Sequence, residues 1–129
     1  MPVADTLFCI DLMRKDPGAI RLYEHYEHAG QRLSTTGITA LELYKGAFCS
    51  ADARNFEKSQ EVLRLFTVIP VDGQVYEAYG RLAAVLYRKG RSLGVFDEVI
   101  AAIALCTDQE IITRDRHFEK VPGLGIISY

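Results

Sequence analysis

No run of about 18 or more apolar residues occurs in this chain, which excludes a helix that crosses a membrane. The opening residues, MPVADTLFCIDLMRKDP, lack the basic start and apolar stretch of a secretory leader. Met1 therefore reads as the start of a folded domain, and a cytosolic protein with no membrane role is expected. Cysteine is scarce: Cys9, Cys49 and Cys106 are odd in number, widely spaced and set among apolar residues. They read as buried free thiols of a reducing compartment. No Cys-x-x-Cys and no His/Cys spacing suggests zinc. His25 and His28, in the polar stretch YEHYEHAG, read as a solvated helix face. Positive charge is not in excess, because the net charge is −2. Binding of nucleic acid through a broadly basic surface is thereby excluded, so a local patch or a metal would have to supply it. There is no internal repeat, low-complexity stretch or linker, and residues 1–129 read as one domain.

What is present is an alternation of short β-like runs with amphipathic helical ones. Val3-Ala4 reads as a buried first strand, followed by a helix over 7–15. Asp16-Pro17-Gly18 breaks that helix and starts another through about His28, with Gly30 as its stop. Residues 32–35 are expected as a strand, with helices over 38–50 and 52–66, and the β-branched run Thr67–Val71 as the next strand. Val75, Tyr79, Leu82, Ala83 and Leu86 repeat at helical spacing over 73–89, and Gly90 ends that helix. Residues 97–107 form a nearly all-apolar helix that belongs at the centre. Strands over 110–113 and 126–128 complete the pattern. Strands alternating with helices imply an α/β fold with a mainly parallel sheet covered on both faces. Ligands of such folds bind beyond the carboxyl ends of the strands.

Four acids stand where that end should be: Asp5 in VADTLFCIDL, Glu42 in ITALELYKGA, Asp97 in LGVFDEVIAAIAL and Asp115 in IITRDRHFEKVPGL. Singly, each has a plain structural reading. Asp5 can cap the helix after it, Glu42 completes a Thr39-Ala-Leu-Glu capping box, Asp97 can cap its helix or sit in the first turn, and Asp115 can nucleate a turn. Asp72, in the same kind of context, reads as a cap alone. If the four converge they repel, since two carboxylates about 5 Å apart at an effective dielectric near 20 cost roughly 3 kcal/mol. Protons or a cation must then compensate. All-oxygen ligands favour Mg²⁺ or Mn²⁺, and Mg²⁺ keeps water and binds phosphate, which suits phosphodiester hydrolysis.

In order and interval, the segments VADTLFCIDLMRKDPGAI, ITALELYKGA, GVFDEVIAAIAL and IITRDRHFEKVPGL resemble those of the PIN-domain nucleases, and among them the VapC-like toxins of toxin–antitoxin pairs. The resemblance runs from residue 3 to residue 124. It implies a three-layer α/β/α domain. It implies Asp5, Glu42 and Asp97 as core metal-binding and catalytic acids, with Asp115 as a more variable fourth. It further implies Mg²⁺- or Mn²⁺-dependent cleavage of RNA, often transfer RNA, by a homodimer that a co-expressed VapB-like antitoxin silences. Thr6 and Thr113 match small hydroxyl positions of the family, and Arg91 with Ser92 offers a phosphate contact beside the site. Arg114 and Arg116 flank Asp115 and are candidates to pair with it. The sequence departs from the family at Leu7, where Asn or Ser is usual. Leu7 and the acidic balance keep a non-catalytic RNA- or protein-binding module as the rival. A receiver-type phospho-acceptor domain fits poorly, since the first strand carries only Asp5 and the last has no lysine. The tyrosines, mostly at helical spacing, read as core or interface.

Overall fold

The computed structural model describes all 129 residues. Five short strands, β1 (Val3–Ala4), β2 (Ser34–Thr36), β3 (Thr67–Ile69), β4 (Glu110–Ile112) and β5 (Gly125–Ile127), form one sheet in the order β3-β2-β1-β4-β5. Every pairing is parallel. Six helices connect them: α1 (Thr6–Met13), α2 (Pro17–His28), α3 (Gly37–Cys49), α4 (Arg54–Leu63), α5 (Gly73–Arg88) and α6 (Val95–Cys106). A 3₁₀ turn over Arg116–Lys120 follows β4.

Strand side chains alternate between two cores, as a period of two requires. Val3 and Ile111 pack with Ile38, α5 and α6, whereas Ala4 and Ile112 pack with Leu43 and residues of α1, α2 and α4. The expected α/β sandwich is therefore present, with a helical layer on each face. Helix α6 is buried along most of its length, which explains its nearly all-apolar sequence. Ile100 and Ile103 are fully buried there, each worth about 1.5–3 kcal/mol.

Helix boundaries follow local chemistry. Asp16 accepts the Ala19 N–H at 3.0 Å to start α2 behind Pro17, and Asp72 accepts the Val75 N–H at 3.4 Å to start α5. Helix α5 ends in a Schellman motif: the Arg91 N–H reaches the Leu86 carbonyl at 2.8 Å and the Gly90 N–H reaches that of Tyr87 at 3.0 Å. Gly90 sits at φ +66°, which a side chain resists. One expectation is corrected: Cys49 and Cys106 are exposed, and only Cys9 is buried. Tyr76 and Tyr87 lie at the surface and not in the core. Helix α6 starts at Val95 behind Gly94 (φ +104°), two residues before the expected start, and Asp97 lies in its first turn and not at its cap.

The strand order decides where a ligand fits. From β1 the chain winds outward through β2 and β3, then returns to place β4 on the other side of β1. The reversal lies between β1 and β4, and the crevice beyond their carboxyl ends is the binding place of doubly wound sheets.

Candidate active site

Asp5 and Thr113 leave adjacent strands at this reversal. The pairing Ala4 with Ile112 sets their register, and the Asp5 N–H donates to the Ile112 carbonyl at 3.1 Å. The Asp5 carboxylate is buried at 3% exposure. Its Oδ1 accepts the Phe8 N–H at 2.8 Å, the cap of α1, and its Oδ2 accepts the Thr113 hydroxyl. Capping thus uses one oxygen, and a side chain 108 positions away orients the other. Thr113 also accepts the Asp115 N–H at 2.9 Å, so one hydroxyl ties two of the acids.

Glu42 lies in the second turn of α3. The capping box expected from Thr39 and Glu42 does not form, because α3 begins two residues before Thr39, with Thr36 as its cap accepting the Thr39 N–H at 3.0 Å. Glu42 instead accepts the Thr6 hydroxyl at 2.7 Å across the crevice. Thr6 and Thr39 hydroxyls lie 3.1 Å apart, giving a chain of hydroxyls beneath the acid. Asp97 occupies the first turn of α6, where the helix dipole favours a negative charge. Asp115 caps the 3₁₀ turn by accepting the His117 N–H at 3.0 Å, and its Oδ1 also meets His117 Nδ1 at 2.8 Å.

Arg114 and Arg116 were the candidates to pair with Asp115, and neither does. Arg114 binds Asp11 at 2.6 Å, and Arg116 lies 3.7 Å from Glu119. His117 takes their place. Arg91 and Ser92 lie exposed on the loop between α5 and α6, apart from any hydrogen bond of their side chains. Leu7 is half-buried in the first turn of α1 and brings no polar atom to Asp5.

The charges are coupled. Burial pushes the Asp5 carboxyl up to about 6, against the lowering effect of the Thr113 and Phe8 donors, and the charges of Asp115 and Asp97 push it further. Asp97 is raised too, first by burial, then by Glu42 and Asp115. Each of the four acids therefore takes part in one electrostatic cluster. Glu98, next to Asp97, is a fifth carboxylate that sequence reasoning passed over; it is buried, and its Oε2 has no hydrogen-bond partner.

No group of three or more His, Cys, Asp or Glu side chains is drawn together tightly enough to grip an ion as the side chains stand. Glu42 is hydrogen-bonded to Thr6 and Asp115 to His117. The donor set still fits a hard divalent cation. It is all oxygen, neighbouring acids add to the raised proton affinity of Asp5 and Asp97, and a cation between them relieves that repulsion.

Three residues outside the expected set also matter. Thr39 and His117 contact Thr6 and Asp115, and neither carries a sequence signal beyond its nearness to an acid. Asp11 did carry one: it is the single acid in the apolar run LFCIDLM, the mark of a buried partner.

Comparison with known proteins agrees with this fold. A family model described as PIN domain matches residues 3–124. The tRNA(fMet)-specific endonuclease VapC of Salmonella typhimurium is 32% identical over 124 residues, spanning 95% of this chain and 92% of that protein. Ribonuclease VapC1 of Haemophilus influenzae is 33% identical over 125 residues, spanning 93% and 91%. The DNA-bound VapBC structure from Salmonella typhimurium superposes with a TM-score of 0.88 at 30% identity, over 99% of this chain and 98% of that one.

Proposed function

This chain belongs to the PIN-domain family, and on that premise we propose that it is an Mg²⁺- or Mn²⁺-dependent endoribonuclease, the toxin of a VapBC-type toxin–antitoxin pair. The observation that carries the reading is Asp5. It is a buried carboxylate at the sheet's reversal point, oriented by Thr113 and raised first by burial and then by the charges of Asp115 and Asp97. A capping residue alone needs no such company. Asp5, Glu42, Asp97 and Asp115 would hold the cation. When bound, such an ion supplies positive charge to the scissile phosphate and acidifies a water.

The chain's own residues do the rest. Thr113 fixes the Asp5 carboxylate and the backbone of Asp115 together, so that the two acids keep their spacing. Thr6 holds Glu42 in reach of the crevice. Arg91 and Ser92, exposed before α6, would meet the RNA backbone, which suits a protein with no broad basic surface.

Transfer RNA is the proposed substrate, by analogy with the Salmonella relative whose name specifies it. A VapB-like antitoxin is the proposed partner, as in the Salmonella complex. A homodimer is proposed from the apolar surface of α3, where Leu41 is 59% and Phe48 71% exposed. Phe48, Phe56 and Tyr44 stack there with ring centroids 5.0 and 5.1 Å apart.

The test is cleavage of a transfer RNA pool with Mg²⁺ or Mn²⁺, set beside Asp5→Asn and Asp97→Asn. Both substitutions should lower cleavage by at least the roughly 10–100-fold that loss of an outer-shell partner costs a metal site. Undiminished activity in either variant refutes the assignment. Leu7 favours the non-catalytic alternative, and calorimetry separates the two: RNA or partner binding without any Mn²⁺ binding at millimolar ion supports the module.

A further inference from the structure

Helix α1 is tied at both ends to one segment of chain. At its start, Asp5 accepts the Thr113 hydroxyl. In its last turn, Asp11 accepts Arg114 Nε at 2.6 Å and faces Arg114 Nη2 at 3.4 Å. Thr113 and Arg114 are neighbours on the strand exit that also carries Asp115. The chain bends at Arg114, whose guanidinium goes to Asp11 and not to the adjacent Asp115. The result is a closed ring: Asp5, along α1 to Asp11, across to Arg114, through the backbone to Thr113, and back to Asp5. The Tyr129 hydroxyl adds a third donor to Asp11, at 2.7 Å, and its ring meets Phe8 edge-on at 4.9 Å.

The Asp11 carboxylate is 8% exposed while the Arg114 side chain is 52% exposed. Burying one carboxylate in an otherwise apolar helix is costly unless its partners are well aligned. Here a guanidinium and a phenol both donate to Oδ2, a directional arrangement rather than a diffuse attraction. An apolar residue at position 11 would serve packing as well. What the pair adds is a defined distance between α1 and the strand exit, and hence between Asp5 and Asp115.

We propose that Asp11, Arg114 and Tyr129 form a positioning clamp that holds Asp5, Thr113 and Asp115 in working geometry. The clamp rests on the reading of those acids as the active site. Arg114, although it lies beside Asp115 and carries a positive charge, acts through Asp11 and does not touch RNA.

The experiment uses the full chain and four variants: Arg114→Met, Arg114→Lys, Tyr129→Phe and, as a control for stability alone, Val75→Ala in the distant core under α5. Amide hydrogen exchange of Phe8 and Asp115 reports the two hydrogen bonds that the clamp is said to protect, with no metal or RNA needed. Cleavage kinetics and Mn²⁺ calorimetry report its consequence. Arg114→Met should quicken exchange at both amides, and should lower kcat and weaken Mn²⁺ binding about tenfold, the scale of outer-shell losses, with KM unchanged. Arg114→Lys and Tyr129→Phe should lie between Arg114→Met and wild type. Val75→Ala should lower the melting temperature and leave the exchange of those two amides relative to α5, kcat and Mn²⁺ binding unchanged. If Arg114→Met leaves both amides protected, or loses only melting temperature, the clamp is refuted. If it raises KM with kcat unchanged, Arg114 contacts RNA directly and the clamp is again refuted. Should wild type neither cut RNA nor bind Mn²⁺, the metal reading fails, and the exchange data alone still decide the clamp.

Discussion

Replacing Asp5 with Asn should stabilise the metal-free protein at neutral pH while removing its activity. Asp5 titrates near 6 in the folded chain, against an ordinary value of 3.8. A carboxyl raised on folding takes up a proton, so its stability contribution is fully present below about pH 4 and is lost as the pH climbs through 6. By pH 8 the ionised Asp5 costs the fold about 3 kcal/mol, by the standard conversion of 1.36 kcal/mol per pH unit. The same linkage leaves roughly half of that cost at pH 5 and well under about 1 kcal/mol at pH 4. Asn keeps the acceptor for the Phe8 N–H and presents an amide to the Thr113 hydroxyl, so the cap and the packing survive. In chelator at pH 8, Asp5→Asn should melt about 10 °C above wild type, at roughly 3–4 °C per kcal/mol for a domain of this size. The gap should shrink steadily toward pH 4. Adding Mn²⁺ at 100 times its Kd should raise the wild type by about 2.7 kcal/mol and the variant by far less. Thermal melts by circular dichroism from pH 4 to pH 8, with and without Mn²⁺, decide it. If Asp5→Asn melts below wild type at pH 8, or if the gap grows toward acid, the account of Asp5 as a strained, charge-crowded acid is wrong.

Further outcomes follow from other parts of the molecule. Thr6→Val removes the donor to Glu42 at nearly constant volume and should lower kcat about tenfold in the RNA cleavage assay, as loss of an outer-shell partner does; Thr6→Ser should restore most of it. Burial pushes the Cys9 thiol up to about 12, so a thiol reagent at pH 8 should titrate Cys49 and Cys106 in the native protein and reach Cys9 only on denaturation. Immediate reaction of all three cysteines would show that the core around α1 opens readily. Phe48→Glu should shift the sedimentation coefficient to that of a monomer, because a charge at the exposed edge of the aromatic cluster on α3 and α4 has no partner to meet. A wild type that already sediments as a monomer removes the homodimer.

The relation between sequence and site differs from acid to acid. Asp5 was legible as both cap and ligand candidate because a strand followed by a capped helix is a local pattern. Asp16 and Asp72 were legible as caps for the same reason, and the structure bears both out. Glu42 was misleading: its spacing from Thr39 matched a capping box, but α3 starts earlier and Glu42 turns to Thr6, on another helix. Arg114 failed in the same way. Its nearest acid in sequence is Asp115, and its partner in space is Asp11. The cysteines were read from apolar surroundings that Cys49 and Cys106 share in sequence and not in the fold, since each lies at a helix end that projects to solvent.

The sequence by itself determined the succession of strands and helices, most helix starts, the all-apolar α6, and the four acids in family order. Each follows from interactions between residues a few positions apart: periodicity of two or of 3.6, a cap three residues from its donor, a glycine where φ must be positive. Only the tertiary structure decided that β4 returns to lie beside β1, which brings Thr113 to Asp5 and Arg114 to Asp11 across more than a hundred positions. Strand order depends on the burial of whole faces at once. No short stretch of sequence contains that information, and the charge coupling that singles out Asp5 exists only after the chain has closed.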